Sequence, residues 1–401
     1  MPMKTFKEMA PVLSEETVRN KHLDHLEDLM ILQGERGLRL SIAFLKDIAK
    51  SLKTGETALG ISTKWDGKPA IVCGINPDNG KFFVATKGAF NKTVKAFHTP
   101  AEVKKGIPNN DLASKMIECL KHLPKIGIKG VLQGDLMFTS DSKKTQNIDG
   151  VPHITFMPNT IMYAIPTDSP IGRSVASAKV GIAFHTVYSG TSMAALSASS
   201  FNFNSSRLKK VSDVWFTDPN IYDITPALLK KGEYESLVSM IKECDTKAKK
   251  VGAFIKLLHG NKDLTDYVLP YINATINGGL SQFSASGLVL HVESKFDKEI
   301  EKLKTEKGKQ GKEQAKQKIL SFIKAYQSQF NEMFELHNLI AKAKEVILGK
   351  FYAISQFGHF FVDDDGIRPT DPEGIVIARS GKVTKLVNRL RFSRQNRKVN
   401  A

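Results

Sequence analysis

The feature that most constrains the fold of this chain is an interrupted strand pattern. Apolar and polar residues alternate between turn residues from about residue 58 to residue 190, and a similar pattern returns after residue 358. Between these stretches, residues 191–358 carry apolar side chains at helical spacing, together with a lysine- and glutamate-rich run over residues 297–318. The sequence therefore predicts a sheet domain that the chain leaves for a long helical excursion and then completes.

This organisation predicts an α+β protein with an antiparallel sheet. We expect an N-terminal helical segment over residues 1–57, divided into two helices at Gly34 and Gly37, and a helix over residues 110–122. The predicted domains are the N-terminal segment (1–57), the sheet core (58–190 and 359–393), a mainly helical insertion or second domain (191–358) and a basic tail (394–401).

Net charge narrows the choice of partner. Lysine and arginine outnumber aspartate and glutamate by 58 to 41, which gives a net charge of +17 and favours polyanions such as nucleic acid over a membrane surface. The three widely spaced cysteines form no zinc knuckle or disulfide framework, and no apolar run is long enough to span a membrane. We expect a soluble cytoplasmic protein without an obligate protein partner.

The sharpest local motif is Lys64-Trp65-Asp66-Gly67, a lysine that leaves a strand into a glycine turn. Alone, it is more typical of an ordinary turn between strands than of a functional site. Five further segments follow in order: Ala85-Thr86-Lys87-Gly88, Gln133-Gly134-Asp135-Leu136, the strand GIAFHTVY (181–188), Glu373-Gly374-Ile375-Val376-Ile377 and Lys385-Leu386-Val387-Asn388. The ordered set resembles the covalent nucleotidyltransferase superfamily of polynucleotide ligases and mRNA capping guanylyltransferases, and phage RNA ligases in particular.

The resemblance implies a nucleotidyltransferase core with an ATP-grasp-like adenylation fold, using ATP and Mg²⁺ or Mn²⁺. It implies a catalytic role for Lys64, Glu373 and Lys385, and metal ligation by Asp135 and Glu373. The residues that it places around the nucleotide are Lys64, Asp66, Gly67, Lys87, Asp135, Phe184, Glu373 and Lys385.

Elementary chemistry explains why such residues would be needed. An amine attacks phosphorus only when unprotonated, so the pKa of Lys64, ordinarily about 10.4, would have to be lowered by a nearby positive charge such as Lys385 or Mg²⁺. Asp135 and Glu373 offer oxygen ligands to Mg²⁺ or to the ribose, and Gly67 would allow close approach of the backbone to the ligand. Phe184 would stack on the purine, as the resemblance implies.

Several positions have a second interpretation. Trp65 is either a packing residue or a nucleic-acid contact, and Tyr163 or Tyr188 is an alternative stacking residue to Phe184. His185, in an otherwise apolar strand, is more typical of a hydrogen-bonded core histidine than of a catalytic base.

The chain also departs from the family pattern at named positions. Pro69 stands where DNA ligases usually carry arginine, aspartate replaces glutamate at Asp135, and Val387 stands at the second basic position of the last motif. Only 16 residues follow Lys385, so we expect no C-terminal OB fold, and the capping enzymes become the less favoured relatives.

The predicted function is an ATP-dependent polynucleotide ligase that acts through lysyl-AMP and seals 5′-phosphate to 3′-hydroxyl ends, with RNA favoured over DNA. The expected nucleic-acid contacts are Arg389, Arg391, Arg394 and Arg397. The alternatives are a DNA nick ligase, an RNA guanylyltransferase, a catalytically degenerate nucleic-acid-binding protein and a phage scaffold protein. If the gene is of phage origin, the compartment is the host cytoplasm.

Overall fold

The computed structural model of the chain describes residues 23–200, 205–217, 219–355, 357–364, 366–379 and 381–393, and these residues belong to two compact units. Within the described residues, the first unit comprises Gly60–Tyr222 and Ser355–Val383. The second comprises Asp24–Leu59, Asp223–Ile354 and the residues from Thr384 onward. The chain therefore enters the first unit twice and the second unit three times.

The strands are β1 (Gly60–Lys64), β2 (Ala70–Ile75), β3 (Phe82–Ala85), β4 (Val131–Thr139), β5 (Lys144–Ile148), β6 (Val151–Phe156), β7 (Met162–Pro166), β8 (Val180–Ser189), β9 (Ser197–Ser200), β10 (Val214–Thr217), β11 (Gly358–Asp363), β12 (Gly366–Pro369), β13 (Gly374–Arg379) and β14 (Lys382–Val387). The helices are α1 (Leu29–Leu32), α2 (Gly34–Thr54), α3 (Pro100–Gly106), α4 (Asn110–His122), α5 (Pro170–Ser177), α6 (Lys231–His259), α7 (Lys262–Asn277), α8 (Ala285–Glu301), α9 (Glu306–Ala325) and α10 (Gln327–Phe351).

The strands form three sheets. Their orders are β1-β13-β14, β10-β8-β4-β2-β3 with β9 added beside β8, and β12-β11-β7-β6-β5. Neighbours such as β2 and β4, or β6 and β7, are antiparallel, whereas β10 joins β8 in parallel. The predicted α+β class with antiparallel sheets is confirmed.

One face of the six-stranded sheet is covered by α4. The side chain of Asn109 caps this helix by accepting a hydrogen bond from the Leu112 N–H at 2.8 Å. On the apolar face of this helix, Ala113, Met116 and Cys119 pack in a core with strand residues such as Ile71, Leu136 and Ile182. The bounds of α4 are those predicted from the sequence, because caps and periodicity agree. Helix α4 does not cover the opposite face of this sheet.

The second unit is helical in its described residues apart from the end of β14. Its N-terminal segment divides as predicted, with α2 beginning at Gly34 and ending before Gly55, whose φ of 78° suits glycine. Gly37 lies inside α2, where a Cβ atom would come within 1.8 Å of the Leu29 carbonyl oxygen. This glycine is therefore required for α1 to pack closely against α2.

The unit boundaries lie at residues 59/60, 222/223 and 354/355, whereas the sequence predicts 57/58, 190/191 and 358/359. The largest difference arises because β9 and β10 extend the six-stranded sheet beyond residue 190. The three cysteines are buried free thiols. No helix among the described ranges is both long and apolar enough to cross a membrane.

Candidate active site around Lys64

Lys64 and Glu373, which are 309 residues apart, meet at the end of the three-stranded sheet. The antiparallel register of β1 and β13 pairs Lys64 with Gly374. Glu373 comes directly before β13, and Lys64 Nζ donates a hydrogen bond to its Oε1 at 2.5 Å. The first and fifth of the six sequence motifs therefore lie side by side.

Asp135 belongs to the same site because the turn after Lys64 is fastened to β4. The Lys68 N–H donates to the Leu136 carbonyl and the Leu136 N–H donates to the Pro69 carbonyl, each at 3.0 Å. Asp135 directly precedes Leu136, and its charge acts on Lys64. The third motif is thereby added to the first and the fifth.

Gly67 allows its turn to approach β4 closely. A Cβ atom at Gly67 would lie 2.5 Å from the Asp135 Cβ and 2.9 Å from the Met137 Sδ. Any larger residue would therefore push the turn away from β4. Gly67 therefore seats the turn on β4, and the predicted approach of its backbone to a nucleotide stays a prediction.

Asp66 is a buried carboxylate whose acceptor atoms are occupied by the turn between β6 and β7. Oδ2 accepts from the backbone N–H groups of Thr160 at 2.8 Å and Ile161 at 2.9 Å, and Oδ1 accepts from the side chain of Asn159 at 2.7 Å. The Asp66 N–H donates to the hydroxyl of Tyr163 at 2.8 Å. Asp66 therefore holds the site together instead of contacting a nucleotide as predicted.

The charges around Lys64 are unbalanced. Burial alone would lower the pKa of Lys64, but the carboxylates of Glu373, Asp135 and Asp66 outweigh burial and raise it. Burial also raises the pKa of Glu373 to about 7, with Lys64 opposing the shift and the two aspartates adding to it. The sequence predicts a lowered pKa for Lys64, whereas these acids raise it and hold the proton on the amine.

His185 faces Asp135 on the side of the sheet away from α4. Its Nε2 lies 3.7 Å from the Asp135 Oδ1, and its Nδ1 is 2.7 Å from the Thr186 Oγ1. The side chain is 35% exposed, so the imidazole reaches solvent as well as the carboxylate. His185 is therefore a member of the site, whereas its sequence context favours a core histidine.

Phe184, one residue earlier in β8, points to the opposite face. It is 0% exposed and packs in the core with α4, so it has no free face to offer a purine, contrary to the sequence prediction. The two alternative stacking residues are also buried. Tyr163 stacks on Phe156 at 5.5 Å between ring centroids, and Tyr188 stacks on Phe90 at 4.8 Å.

Trp65 packs in an aromatic cluster directly beside Lys64. Its ring contacts Tyr163, Trp215 and Phe357, with centroid distances between 5.1 and 6.2 Å. Of its two sequence interpretations, the packing role fits this environment. The indole Nε1 is buried without a hydrogen-bond partner among the residues that the structure describes.

The two other predicted lysines lie in different surroundings. Lys87 is exposed at the start of a short 3-10 turn after β3. Lys385 belongs to the second unit, where it is half-buried in β14 and its N–H donates to the Asp24 carbonyl at 3.0 Å. The predicted contacts of both side chains with phosphate stay predictions.

The predicted nucleic-acid arginines include one with an internal partner. Arg389 donates from Nη1 to both carboxylate oxygens of buried Asp28, at 2.9 and 3.0 Å, and its side chain is only 10% exposed. This ion pair removes Arg389 from the surface that the sequence assigned to it. Arg391 is half-buried, and Arg394 and Arg397 lie outside the described residues.

A divalent cation fits the chemistry of the Lys64 site. Glu373 Oε2 is buried without a hydrogen-bond partner among the described residues, and the charges of three carboxylates act on one lysine. Over the same residues no group of three or more His, Cys, Asp or Glu side chains is arranged to hold a metal ion. Asp135 and Glu373 would supply two oxygen ligands, and Mg²⁺ commonly completes such a shell with substrate phosphates and water.

The comparisons with known proteins give a family without an assigned activity. Residues 20–400 match the model of a family described as "Family of unknown function (DUF6267)". The chain belongs to this family. No curated protein and no solved structure matches the chain.

Two members of the site in this DUF6267 protein escape sequence reasoning. His185 is recognisable only when the side of β8 that α4 covers is known, although it is the one histidine in GIAFHTVY. Asn159 has no local signal, because its partner Asp66 lies 93 residues away.

Proposed function

We propose that this protein is an ATP-dependent polynucleotide ligase, with RNA as the favoured substrate, built on a nucleotidyltransferase core and acting through lysyl-AMP on Lys64. The observation that carries the proposal is the meeting of Lys64 and Glu373 at 2.5 Å, with Asp135 beside them. Three motifs that resemble those of the superfamily thus converge on the one lysine that the resemblance assigns as nucleophile. The support is this convergence, added to the order of the motifs.

In the first step Lys64 Nζ attacks the α-phosphorus of ATP, a phosphorus–nitrogen bond forms and pyrophosphate leaves. The proton of the Lys64 ammonium is lost to solvent, which reaches its 26% exposed side chain. Glu373 already accepts a hydrogen bond from Nζ and orients the freed amine toward the phosphorus.

Proton loss from Lys64 needs the local acid excess to be reduced. Mg²⁺ held by Asp135 and Glu373 would offset the negative charge that keeps Lys64 protonated, and it would stabilise charge developing on the phosphates. AMP then moves from Lys64 to a 5′-phosphate, and a 3′-hydroxyl displaces AMP to form the phosphodiester bond.

The test is transfer of label from nucleotide to protein. Wild type, Lys64→Ala and Lys68→Ala are first treated with pyrophosphate to remove bound AMP, then incubated with α-labelled ATP, GTP or NAD and Mg²⁺. Lys68 is exposed in the same turn and serves as the matched control. We expect label from ATP on wild type and Lys68→Ala that survives denaturation in detergent and alkali and is released by acid, as a phosphorus–nitrogen bond requires, and none on Lys64→Ala.

The other outcomes separate the alternatives. Label from GTP alone would make the protein a guanylyltransferase. Label from ATP followed by sealing of nicked DNA but not of RNA ends would make it a DNA nick ligase. No label on folded wild type from any of the three nucleotides would overturn the proposal in favour of a degenerate nucleic-acid-binding protein.

A further inference from the structure

One end of α4 and a later segment of the first unit together form a basic surface. It consists of Lys121, Lys125, Lys129, Arg207, Lys209 and Lys210, all of which are exposed. We propose that this basic surface binds the phosphate backbone of nucleic acid. The choice of ligand rests on the proposed function, but the surface itself is independent of the Lys64 site.

The two segments are fixed to each other by packing and by a backbone hydrogen bond. The Lys209 N–H donates to the Ile126 carbonyl at 2.9 Å. Leu208 and Val211 pack against the core that contains Leu123 and Ile126. Because these apolar neighbours point inward, Lys209 and Lys210 are left on the outside beside the end of α4.

Gly127 allows the side chain of Lys209 to lie close to the end of α4. It adopts a φ of 75°, and a Cβ atom placed on it would lie 3.7 Å from three carbons of the Lys209 side chain. The stem of Lys209 therefore crosses directly over Gly127. The cationic groups at the end of α4 and those of residues 207–210 thus lie together on the basic surface.

Most of the charge on the basic surface is not neutralised internally. Lys125 forms an ion pair with Asp213, which also lies 3.4 Å from His122. Within the part of the chain that the structure describes, the other five residues form no ion pair with a carboxylate. The patch keeps a net positive charge and has donors available for phosphate oxygens.

The lysine-rich helix α9 shows the contrasting arrangement. Lys309 pairs with Glu306 at 2.9 Å, Lys312 with Glu299 at 2.7 Å and Lys316 with Asp297 at 2.6 Å. Arg389, one of the four predicted nucleic-acid contacts, likewise forms an ion pair with Asp28. A polyanion gains more from cations that lack internal carboxylate partners, which favours the basic surface over these regions.

The closing experiment measures binding of a fluorescein-labelled 20-nucleotide RNA by anisotropy at several salt concentrations. The test variant is Lys129→Ala/Lys209→Ala/Lys210→Ala. The matched control is Lys302→Ala/Lys304→Ala/Lys307→Ala, which removes the same charge from exposed residues elsewhere. We expect the test variant to bind roughly 10- to 100-fold more weakly, and the salt slope to fall by about 2, because three contacts to a single strand are lost. We expect the control to change binding less than about 3-fold.

Label transfer from ATP without RNA is measured on the same proteins and should be equal in all of them, which also shows that they are folded. A test variant that binds RNA as tightly as the control would overturn the inference. So would binding of wild type to phosphatidylserine vesicles but not to RNA. If no protein takes up label, the ligase proposal fails and circular dichroism replaces label transfer as the folding control. Selective loss of RNA binding in the test variant would still support the basic surface.

Discussion

A lysine–glutamate ion pair in each of the two units is at least partly withdrawn from solvent, and the two pairs are similar in length but differ in their surroundings. Lys64 and Glu373 in the first unit lie 2.5 Å apart, and Lys344 and Glu27 in the second lie 2.6 Å apart. The side chains of Lys344 and Glu27 are each 2% exposed, whereas those of Lys64 and Glu373 are 26% and 13% exposed.

Charge balance separates the pairs more clearly than burial does. Glu27 and Asp28 are matched by Lys344 and Arg389, and His337 hydrogen-bonds Asp28 through its Nε2 at 2.9 Å. Burial would raise the pKa of Glu27, but Lys344 and its neighbours lower it to about 2.

Around Lys64, in contrast, the charges of three carboxylates act on one ammonium group, and burial raises the pKa of Glu373 to about 7. A balanced and sealed pair is typical of a structural element. An acid excess that reaches solvent is typical of a site that awaits a cationic or metal-bound ligand.

The largest effect on stability should come from breaking the balanced pair. Lys344→Met leaves Glu27 buried without its main partner, so we expect the free energy of unfolding to fall by about 3–5 kcal/mol. Adding Glu27→Gln should recover more than half of that loss, because the uncompensated charge is gone. Urea denaturation measures both, and a loss below about 1 kcal/mol in the single variant would show that the pair is not structural.

The next effect tests whether Asp66 holds the first site together. Asp66→Ala leaves the N–H groups of Thr160 and Ile161 without their acceptor, and we expect a loss of about 2–4 kcal/mol. Asp66→Asn keeps an acceptor oxygen and should cost less than about 1 kcal/mol. Thermal unfolding with label transfer from ATP checks this; loss of labelling in a fully stable Asp66→Asn would point to a direct ligand role instead.

A smaller effect, the pH dependence of stability, distinguishes the Lys64–Glu373 pair from the Lys344–Glu27 pair. The folded pKa of Glu373, about 7, lies above its ordinary value near 4.5, so the folded state binds more protons and loses stability as pH rises through this window. Glu373→Gln removes that loss, and its advantage over wild type should grow by about 1–2 kcal/mol from pH 4.5 to 8.

The Glu27 pair behaves in the opposite way. Its contribution is present above pH 4.5 and is lost as pH falls toward 2. Urea denaturation of wild type and Glu373→Gln at several pH values decides between these patterns, and parallel pH curves would refute the proposed acid excess.

The smallest effects are expected for two neighbouring residues of β8, Phe184 and His185. Phe184→Leu should cost about 1 kcal/mol of stability and leave the ATP dependence of labelling unchanged, because Phe184 is a core residue. His185→Ala should leave stability nearly unchanged and slow labelling, because its imidazole lies beside Asp135. An altered ATP dependence in Phe184→Leu without loss of stability would restore the stacking role for that residue.

The sequence is a good guide where the signals are local or belong to an ordered set. The caps and periodicity of α4, the division of the N-terminal helices at Gly34 and the strands around Lys64 are predictable for this reason. The partnership of Lys64 with Glu373 follows from two motifs whose spacing says nothing about distance in space, so only the resemblance brings them together.

The sequence is a poor guide where a partner is remote. Arg389 belongs to a run of basic residues, and its partner Asp28, 361 residues away, is invisible in that context. Whether the side chains of Phe184 and His185 point to the core or to the open face also depends on which side of β8 is covered by α4. Alternation in a strand gives two faces but does not say which one is open.

The aromatic cluster beside Lys64 has a practical consequence for spectroscopy. The chain contains two tryptophans, and both of them, Trp65 and Trp215, belong to this cluster in the first unit. Intrinsic tryptophan emission therefore reports on the surroundings of the candidate nucleophile and is silent about the helical unit. Where emission and far-ultraviolet circular dichroism fail to coincide during denaturation, the difference assigns each transition to its own unit without any introduced label.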